Sequence, residues 1–182
     1  MLSTILRSAP LLQTQLLQTV GFAMPGRPSS IVTLLASDDE MQDVAALHAE
    51  TFAHGWSVDE ITRLSRRPGA TVWLAREEGR GRDRPLGFLI LSQIADEAEI
   101  ISVGVAHKAR RRGVGDALVR HAVREAQAGR AKQLFLEVDE TNAAAVALYR
   151  RAGFAQIGER TAYYPKAGAE PSRALVMSLP LR

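Results

Sequence analysis

The sequence predicts a single α/β domain in which about seven strands form a mixed sheet flanked by about four helices. Apolar runs of strand length alternate with segments whose apolar residues recur at helical spacing. Two short turns, a charged glycine-rich one at 77–85 and an acidic one at Asp96-Glu97, join runs of strand character and predict an antiparallel meander. The 182 residues, 46% of them hydrophobic, are typical of one soluble domain with a substantial core.

Local signals delimit the predicted elements of the first half. Residues 31–35 form an apolar run that predicts the first strand. Ser37, followed by three acidic residues, caps a helix that extends to about Phe52. Ser57 and Glu60 have the spacing of a capping box, which opens a second, shorter helix. Further strands are predicted at 70–76, 86–94 and 98–105.

Glycines and caps delimit the second half. A helix is predicted from Gly113 to about Ala128, and Gly129 ends it. Thr141 or Asn142 caps another helix, which ends before Gly153. Strands are predicted at 134–138, 154–160 and 172–179.

Composition excludes several functions. The net charge is +3, but residues 1–37 contain two arginines and no acid, so the remainder holds 21 basic and 20 acidic residues and gives little support to nucleic-acid binding. The absence of cysteine excludes disulfides, thiolate metal sites and a cysteine nucleophile, and fits a cytoplasmic setting. No apolar run approaches the ~20 residues that cross a bilayer.

Residues 1–30 differ from the remainder of the chain. Leucines and isoleucine are interleaved with glutamine and threonine, so the segment is a poor secretory signal. An organelle transit peptide, a short amphipathic extension and a true start near Met24 all remain open. We expect a poorly anchored extension, followed by one domain at 31–182.

The turn at 110–116 predicts an anion site. It reads Arg-Arg-Arg-Gly-Val-Gly-Asp and lies between an apolar strand and a helix. The first turn of a helix has unpaired N–H groups and a partial positive charge, and glycines let a phosphate approach them. The alternative is a solvated arginine-rich turn, because short glycine motifs often occur without function.

A second group of polar residues follows the strand at 134–138. Glu137 stands in an otherwise apolar strand, where a carboxylate is costly unless it is solvated or paired. Asn142 and Tyr149 are seven residues apart on one predicted helix, so we expect them to share a face. A carboxylate and two polar groups in this arrangement predict a reaction cleft.

These two motifs carry a resemblance to a known family. Arg110-x-x-Gly113-x-Gly115 matches the signature Arg/Gln-x-x-Gly-x-Gly/Ala, and the pattern Leu-Glu-Val, Asn, Ala-Leu-Tyr, Gly-Phe is present between 136 and 154. The chain resembles the GCN5-related N-acetyltransferase (GNAT) superfamily over about residues 31–182. Tyr163-Tyr164-Pro165 is similar to the tail of the RimI-type members, which acetylate the N-terminal alanine of a ribosomal protein.

The resemblance implies that two neighbouring parallel strands splay apart and that acetyl-CoA lies in the gap. The pyrophosphate would bind backbone N–H groups, and the pantetheine arm would pair with a strand edge. Asn142 would bind the pantetheine from the other side. The residues implied in cofactor binding are Val103, Gly104, Val105, Arg110, Arg111, Arg112, Gly113, Val114, Gly115, Asp116 and Asn142. No metal is implied.

The implied reaction is direct attack of an amine on the thioester. Glu137 would be the base and Tyr149 the acid, whereas the structural alternatives are an ion pair of Glu137 with an arginine such as Arg160 and simple packing of Tyr149. Trp56, Tyr163 and Tyr164 would bind the acceptor or, alternatively, close the core. A small-molecule amine as acceptor and a non-catalytic CoA-binding module are the rival functions; neither nucleic acid nor membrane is an expected partner.

Overall fold

A seven-stranded sheet organises the chain in the computed structural model, which describes residues 30–80, 83–161 and 173–182. The strands are β1 (Ile31–Leu35), β2 (Ala70–Glu77), β3 (Gly87–Ile94), β4 (Glu97–Val105), β5 (Gln133–Asp139), β6 (Ala155–Thr161) and β7 (Arg173–Pro180). They lie in the order β1-β2-β3-β4-β5-β7-β6. The pair β4 and β5 is parallel and the other pairs are antiparallel, so the predicted mixed, mostly antiparallel sheet is confirmed.

Four α-helices accompany the sheet, as predicted for the part of the chain described. They are α1 (Met41–Thr51), α2 (Val58–Ser65), α3 (Val114–Ala128) and α4 (Ala143–Arg151), with short 3-10 turns at Asp38–Glu40 and His107–Ala109. Most strand boundaries agree with the prediction to within one residue, and the hairpin turn between β3 and β4 differs from it. Ile94 already pairs with Glu97, so the hairpin turn is Ala95-Asp96, and Ala95 adopts the positive φ of 54° that two-residue hairpins favour.

Helices cover the sheet on two faces. In β3, Phe88 and Ile90 belong to the buried cluster of α1 and α2, whereas Leu89 and Leu91 belong to that of α3 and α4. Successive strand residues point to opposite faces, and a strand covered on both is apolar throughout. The near-continuous apolar run of β3 is therefore explained by its position in the sheet, between helices on both faces.

Two capping boxes are present, of which the one at Ser57 and Glu60 was predicted as such and the one at Ser37 was predicted only as a cap. Ser57 caps α2, and the Glu60 carboxylate accepts the Ser57 backbone N–H at 2.7 Å. Ser37 and Glu40 make the same exchange before α1. Glu40 also forms an ion pair with Arg76 at 2.7 Å, where the two side chains are only 14% and 5% exposed. The cap before α1 is thus joined to β2.

Candidate active site

The parallel strands β4 and β5 pair only along their first halves. Their last pair in register is Ile100 with Leu136, although β4 continues to Val105 and β5 to Asp139. Beyond this pair β4 keeps its antiparallel partner β3 on one side, up to Val105 opposite Gly87. The backbone groups of β4 that point away from β3 therefore face a gap between the strands. The splayed sheet that the resemblance implied is present.

A β-bulge in β4 coincides with the start of the gap. Ile90 of β3 is opposite Ser102 and Leu91 is opposite Ile100, so Ile101 is an extra residue. A bulge bends its strand and reverses the faces of the residues beyond it. Ile100 packs with α3 and α4 before the bulge, and Val103 does so after it. The bulge accounts for the departure of β4 from β5.

Free backbone N–H groups begin α3. Gly113 is the N-cap, has φ of 81° and offers no side-chain cap. Ala117 is the first residue whose N–H bonds within the helix, to the Gly113 carbonyl at 2.9 Å. Within the described residues, no acceptor takes the N–H groups of Val114, Gly115 and Asp116. Such a helix start attracts anions.

The side chains of the arginine turn differ in their partners. Arg112 forms an ion pair with Glu77 of β2, and Asp116 forms one with Arg120 one helical turn later. Arg110 and Arg111 are exposed, and Arg111 has a positive φ of 64°. The charge available to a ligand is consequently smaller than three arginines suggest, and the backbone contributes most of the anion site.

Space for a ligand lies over Gly113. A Cβ built on Gly113 would meet no atom within 4 Å, whereas one on Gly115 would lie 3.2 Å from Leu148 Cδ2 and 3.6 Å from Val105 Cγ2. Gly115 thus lets α3 pack closely against α4 and the end of β4. Gly113 leaves the helix start open, which fits the approach of a diphosphate.

Glu137 lies on the outer face of β5 and is paired. Its carboxylate Oε1 is 3.1 Å from Nη1 of Arg160 on β6, and the two side chains are 39% and 73% exposed. The carboxylate is thus both solvated and paired, the two conditions that relieve the cost of its place in an apolar strand. So exposed an ion pair is weak. The pair supports the structural alternative for Glu137 without excluding a reaction at a carboxylate this accessible.

Glu99, which the sequence analysis missed, lies beside Glu137. Both line a cavity of about 250 Å³ on the outer face of β4, β5, β6 and β7. Burial raises the pKa of Glu99, the charge of Glu137 raises it further, and Arg160 opposes the shift. The alternation of β4, with Ala98 and Ile100 inward, is a sequence signal that could have identified Glu99 as outward-facing. A larger cavity, about 440 Å³, lies between β1 and α3, away from these carboxylates.

Tyr149 is buried on the opposite face. It is 6% exposed, belongs to the same cluster as Leu136 and Val138, and meets Phe154 edge to face at 5.9 Å. Burial raises the pKa of Tyr149 to about 12. Its hydroxyl makes no hydrogen bond with another of the described residues. It is therefore a protonated phenol throughout the neutral range.

Asn142 precedes α4 and caps it. It is the N-cap, with non-helical ψ of 67°, and its side-chain oxygen accepts the Ala145 N–H at 3.2 Å. The prediction that Thr141 or Asn142 caps this helix is thus confirmed for Asn142, whereas the seven-residue spacing rule, which holds within a helix, does not by itself place a cap residue on the face of Tyr149. Asn142 is exposed, whereas Tyr149 is buried. The Asn142 amide group is still available to a ligand.

Trp56 is half-buried in an aromatic stack before α2. Its ring centroid is 4.4 Å from that of His48, and it packs against the buried cluster of α1 and α2. Tyr163 and Tyr164, the other predicted acceptor-binding residues, lie outside the described residues. Within those described, no group of three or more potential metal-ligating His, Cys, Asp or Glu side chains occurs, and no helix is long and apolar enough to cross a membrane.

Comparison with known proteins identifies the family. A model described as "Acetyltransferase (GNAT) family" matches residues 41–154, which include the β4–β5 gap, the start of α3 and α4. The chain belongs to the GNAT family. The family membership predicted from the two motifs is therefore confirmed, and so is the enzyme class, an N-acetyltransferase.

Relatives within the GNAT family act on different acceptors. The ribosomal protein bS18-alanine N-acetyltransferase of Escherichia coli K12 is 31% identical over 137 residues, 75% of this chain and 90% of that protein. The crystal structure of the ribosomal-protein-S18-alanine N-acetyltransferase from Escherichia coli superposes with a TM-score of 0.74 at 25% identity, covering 84% of this chain and 94% of that one. Streptothricin acetyltransferase of Streptomyces lavendulae is 40% identical over 96 residues, 52% of this chain and 51% of that protein.

Proposed function

We propose that this chain transfers the acetyl group of acetyl-CoA to the α-amine of a protein N-terminus, the N-terminal alanine of a ribosomal protein. The observation that carries the proposal is the gap between β4 and β5, which opens beside the unpaired N–H groups of α3. The similarity to the bS18-alanine enzyme of E. coli over most of both chains supports the acceptor. A ribosomal acceptor would place the reaction in the cytoplasm, as the sequence predicted.

Acetyl-CoA fits the backbone of this region. The N–H groups from Arg111 to Asp116 would hold its pyrophosphate, and the open space over Gly113 admits a bulky anion. The free edge of β4 at 103–105 would pair with the amides of the pantetheine arm as a peptide strand would. The exposed amide of Asn142 would contact the arm from the α4 side.

The acceptor amine would approach from the outer face of β5. It must lose its proton to attack, and a free α-amine has a pKa of about 7.7–8.0, compared with about 10.4 for lysine. A carboxylate, acting directly or through water, therefore suffices as the base for an N-terminus. Glu137 would take this role, and Glu99, which shares its cavity, is the alternative base.

The leaving thiolate would be protonated from the inner face. Tyr149 retains its proton at neutral pH because burial raises its pKa to about 12. Since Glu137 and Tyr149 flank β5 on opposite faces, a thioester in the gap could receive the amine from one side and the proton from the other. With no cysteine in the chain, the acetyl group cannot pass through an acetyl-cysteine.

A small-molecule amine is the second candidate acceptor. The similarity to streptothricin acetyltransferase favours it specifically, although that match spans only half of each chain. With a small-molecule acceptor the acetyl-CoA site is the same, and only the amine that approaches Glu137 differs.

A panel of acceptors tests the proposal. The full chain and acetyl-CoA are incubated with a peptide that begins with a free alanine, with the same peptide acetylated at its N-terminus and carrying an internal lysine, and with streptothricin. We expect mass spectrometry to show acetylation of the free N-terminus alone. Acetylation of streptothricin with no modified peptide would establish the second candidate. Acetyl-CoA binding without any acetylated product would indicate a non-catalytic module.

A further inference from the structure

His48 is buried in an aromatic cluster that joins α1 to the loop before α2. Its side chain is 3% exposed, and its ring stacks on both Phe52 and Trp56 with centroid separations of 4.4 Å. The Trp56 backbone N–H donates to Nδ1 of His48 at 3.1 Å. The imidazole thus contacts the loop through both faces and one ring nitrogen.

This cluster lies against the part of β4 that borders the gap. His48 and Phe52 both contact Phe88, with centroid separations of 5.7 and 6.5 Å. A Cβ built on Gly104 of β4 would lie 2.5 Å from Phe88 Cε1 and 2.8 Å from Thr51 Oγ1. The stack is therefore one side-chain layer from the strand edge where the acetyl group would lie, on the face opposite α3.

His48 gives the loop its side-chain hydrogen bond to α1, and Gly55 packs closely on Ala49 of the same helix. α1 ends at Thr51, its C-cap Phe52 has extended φ and ψ of −121° and 145°, and α2 begins after Ser57. Residues 53–55 are exposed. The hydrogen bond from Trp56 to His48 ties the end of this loop, just before the cap of α2, to α1. Phe52, 41% exposed, presents an apolar surface beside it.

We propose that His48 is a positioning residue for acceptor binding, holding Phe52 and Trp56 as the wall against which the first residues of the acceptor pack. The inference rests on the proposed function. His48 itself would contact neither the acetyl acceptor nor acetyl-CoA. It acts through the two aromatic rings that stack on it.

The hydrogen bond from Trp56 requires an unprotonated Nδ1. Burial lowers the pKa of His48, and the charge of Glu60 on α2 opposes this shift. β3 faces the ring with the uncharged Phe88, and the loop faces it with Phe52 and the Trp56 indole. His48 is thus neutral at pH 7. Protonation of Nδ1 in acid removes the hydrogen-bond acceptor for the Trp56 N–H and releases the loop. Acceptor binding should weaken in acid and be unchanged above neutrality.

Two substitutions separate the hydrogen bond from the stack. His48→Asn keeps an acceptor oxygen near the position of Nδ1 and cannot be protonated in this range. His48→Phe keeps an aromatic ring and removes the nitrogen that accepts the hydrogen bond from Trp56. The ligand is the acetylated product peptide, since it has no α-amine to titrate. Its Kd is measured for the full chain and both variants in a pH series from 7.5 to 4.5, with acetyl-CoA affinity and thermal unfolding as controls for folding.

Because burial lowers the pKa of His48, we expect the product-peptide Kd of the parent chain to rise at least fivefold only towards the acid end of the series, between pH 7.5 and 4.5. His48→Asn should show less than a twofold change over the same range, and His48→Phe should bind, at every pH, at least fivefold more weakly than the parent chain does at pH 7.5. Acetyl-CoA affinity should change less than twofold throughout. A pH dependence retained in His48→Asn, or parent-like binding by His48→Phe, would overturn the inference.

Trp56 fluorescence tests the loop without any acceptor. Trp73 contacts a second histidine, His121, with centroids 4.2 Å apart, so the measurement uses a Trp73→Phe background. A protonated imidazole quenches an adjacent indole, so Trp56 emission should fall in acid in the parent and stay constant in His48→Asn. A Trp56 transition without a change in peptide affinity overturns the positioning role. If no peptide binds at any pH, the proposed function and the acceptor role fail together, while Trp56 still reports whether His48 titrates.

Discussion

Replacing Gly113 with alanine tests whether the start of α3 binds the diphosphate of acetyl-CoA. The matched control is Gly79→Ala, in the turn after β2. The two glycines have φ of 81° and 78°, and a Cβ on either would meet no atom within 4 Å. Both substitutions force an L-residue into the left-handed region, at a cost of about 1–2 kcal/mol. For a domain of this size, each kcal/mol lowers Tm by roughly 2–4 °C.

The two variants should differ only in acetyl-CoA affinity. In Gly113→Ala the added methyl group occupies the open space before the N–H groups of Val114 and Gly115. We expect the acetyl-CoA Kd, measured by titration calorimetry, to rise at least tenfold, which is about 1.4 kcal/mol. Gly79→Ala should bind acetyl-CoA as the parent does. If both variants lose similar stability but Gly113→Ala keeps the parent affinity, the diphosphate does not bind at this helix start.

Two further predictions concern the acid and the fold. Tyr149→Phe should lower kcat by a factor of roughly 10²–10⁴ and leave acetyl-CoA affinity unchanged. The kcat of the parent should show no loss from Tyr149 ionisation up to about pH 10, because burial raises the pKa of Tyr149 to about 12. A parent-like kcat in the variant would remove Tyr149 from the mechanism. Glu40→Gln should lower the free energy of unfolding by about 3 kcal/mol, since it leaves the buried Arg76 without the Glu40 carboxylate. Denaturant titration measures this loss. The control Asp96→Asn, in the exposed pair with Lys132, should lose much less.

Local sequence signals predicted nearly all elements of the sheet and the helices. The capping box of Ser57 and Glu60 marks the start of α2 because the two residues that form it are three apart. The one displaced turn, Ala95-Asp96, depends on the pairing of Ile94 with Glu97 across two strands. Pairing between two strands cannot be predicted from the local sequence of either strand alone.

The charges of the site were harder to predict. Three successive arginines suggest three cations for a phosphate, but Arg112 is paired with Glu77, 35 residues away. Glu99 and Glu137 come together only because β4 and β5 are neighbours in the sheet. His48 has the helical spacing of a core residue, and nothing in that spacing indicates its hydrogen bond to Trp56.

The kinds of element, their order and the GNAT motifs could all be predicted from the sequence, because they depend on residues that are close together along the chain. The folded sheet, in contrast, shows two features that no local signal specifies: β4 leaves β5 after Ile100, and Glu137 and Tyr149 lie on opposite faces of β5. Strand register and the position of a bulge are set by packing between distant segments. A shift of one residue would reverse every face, so the arrangement of the site follows from the packed sheet.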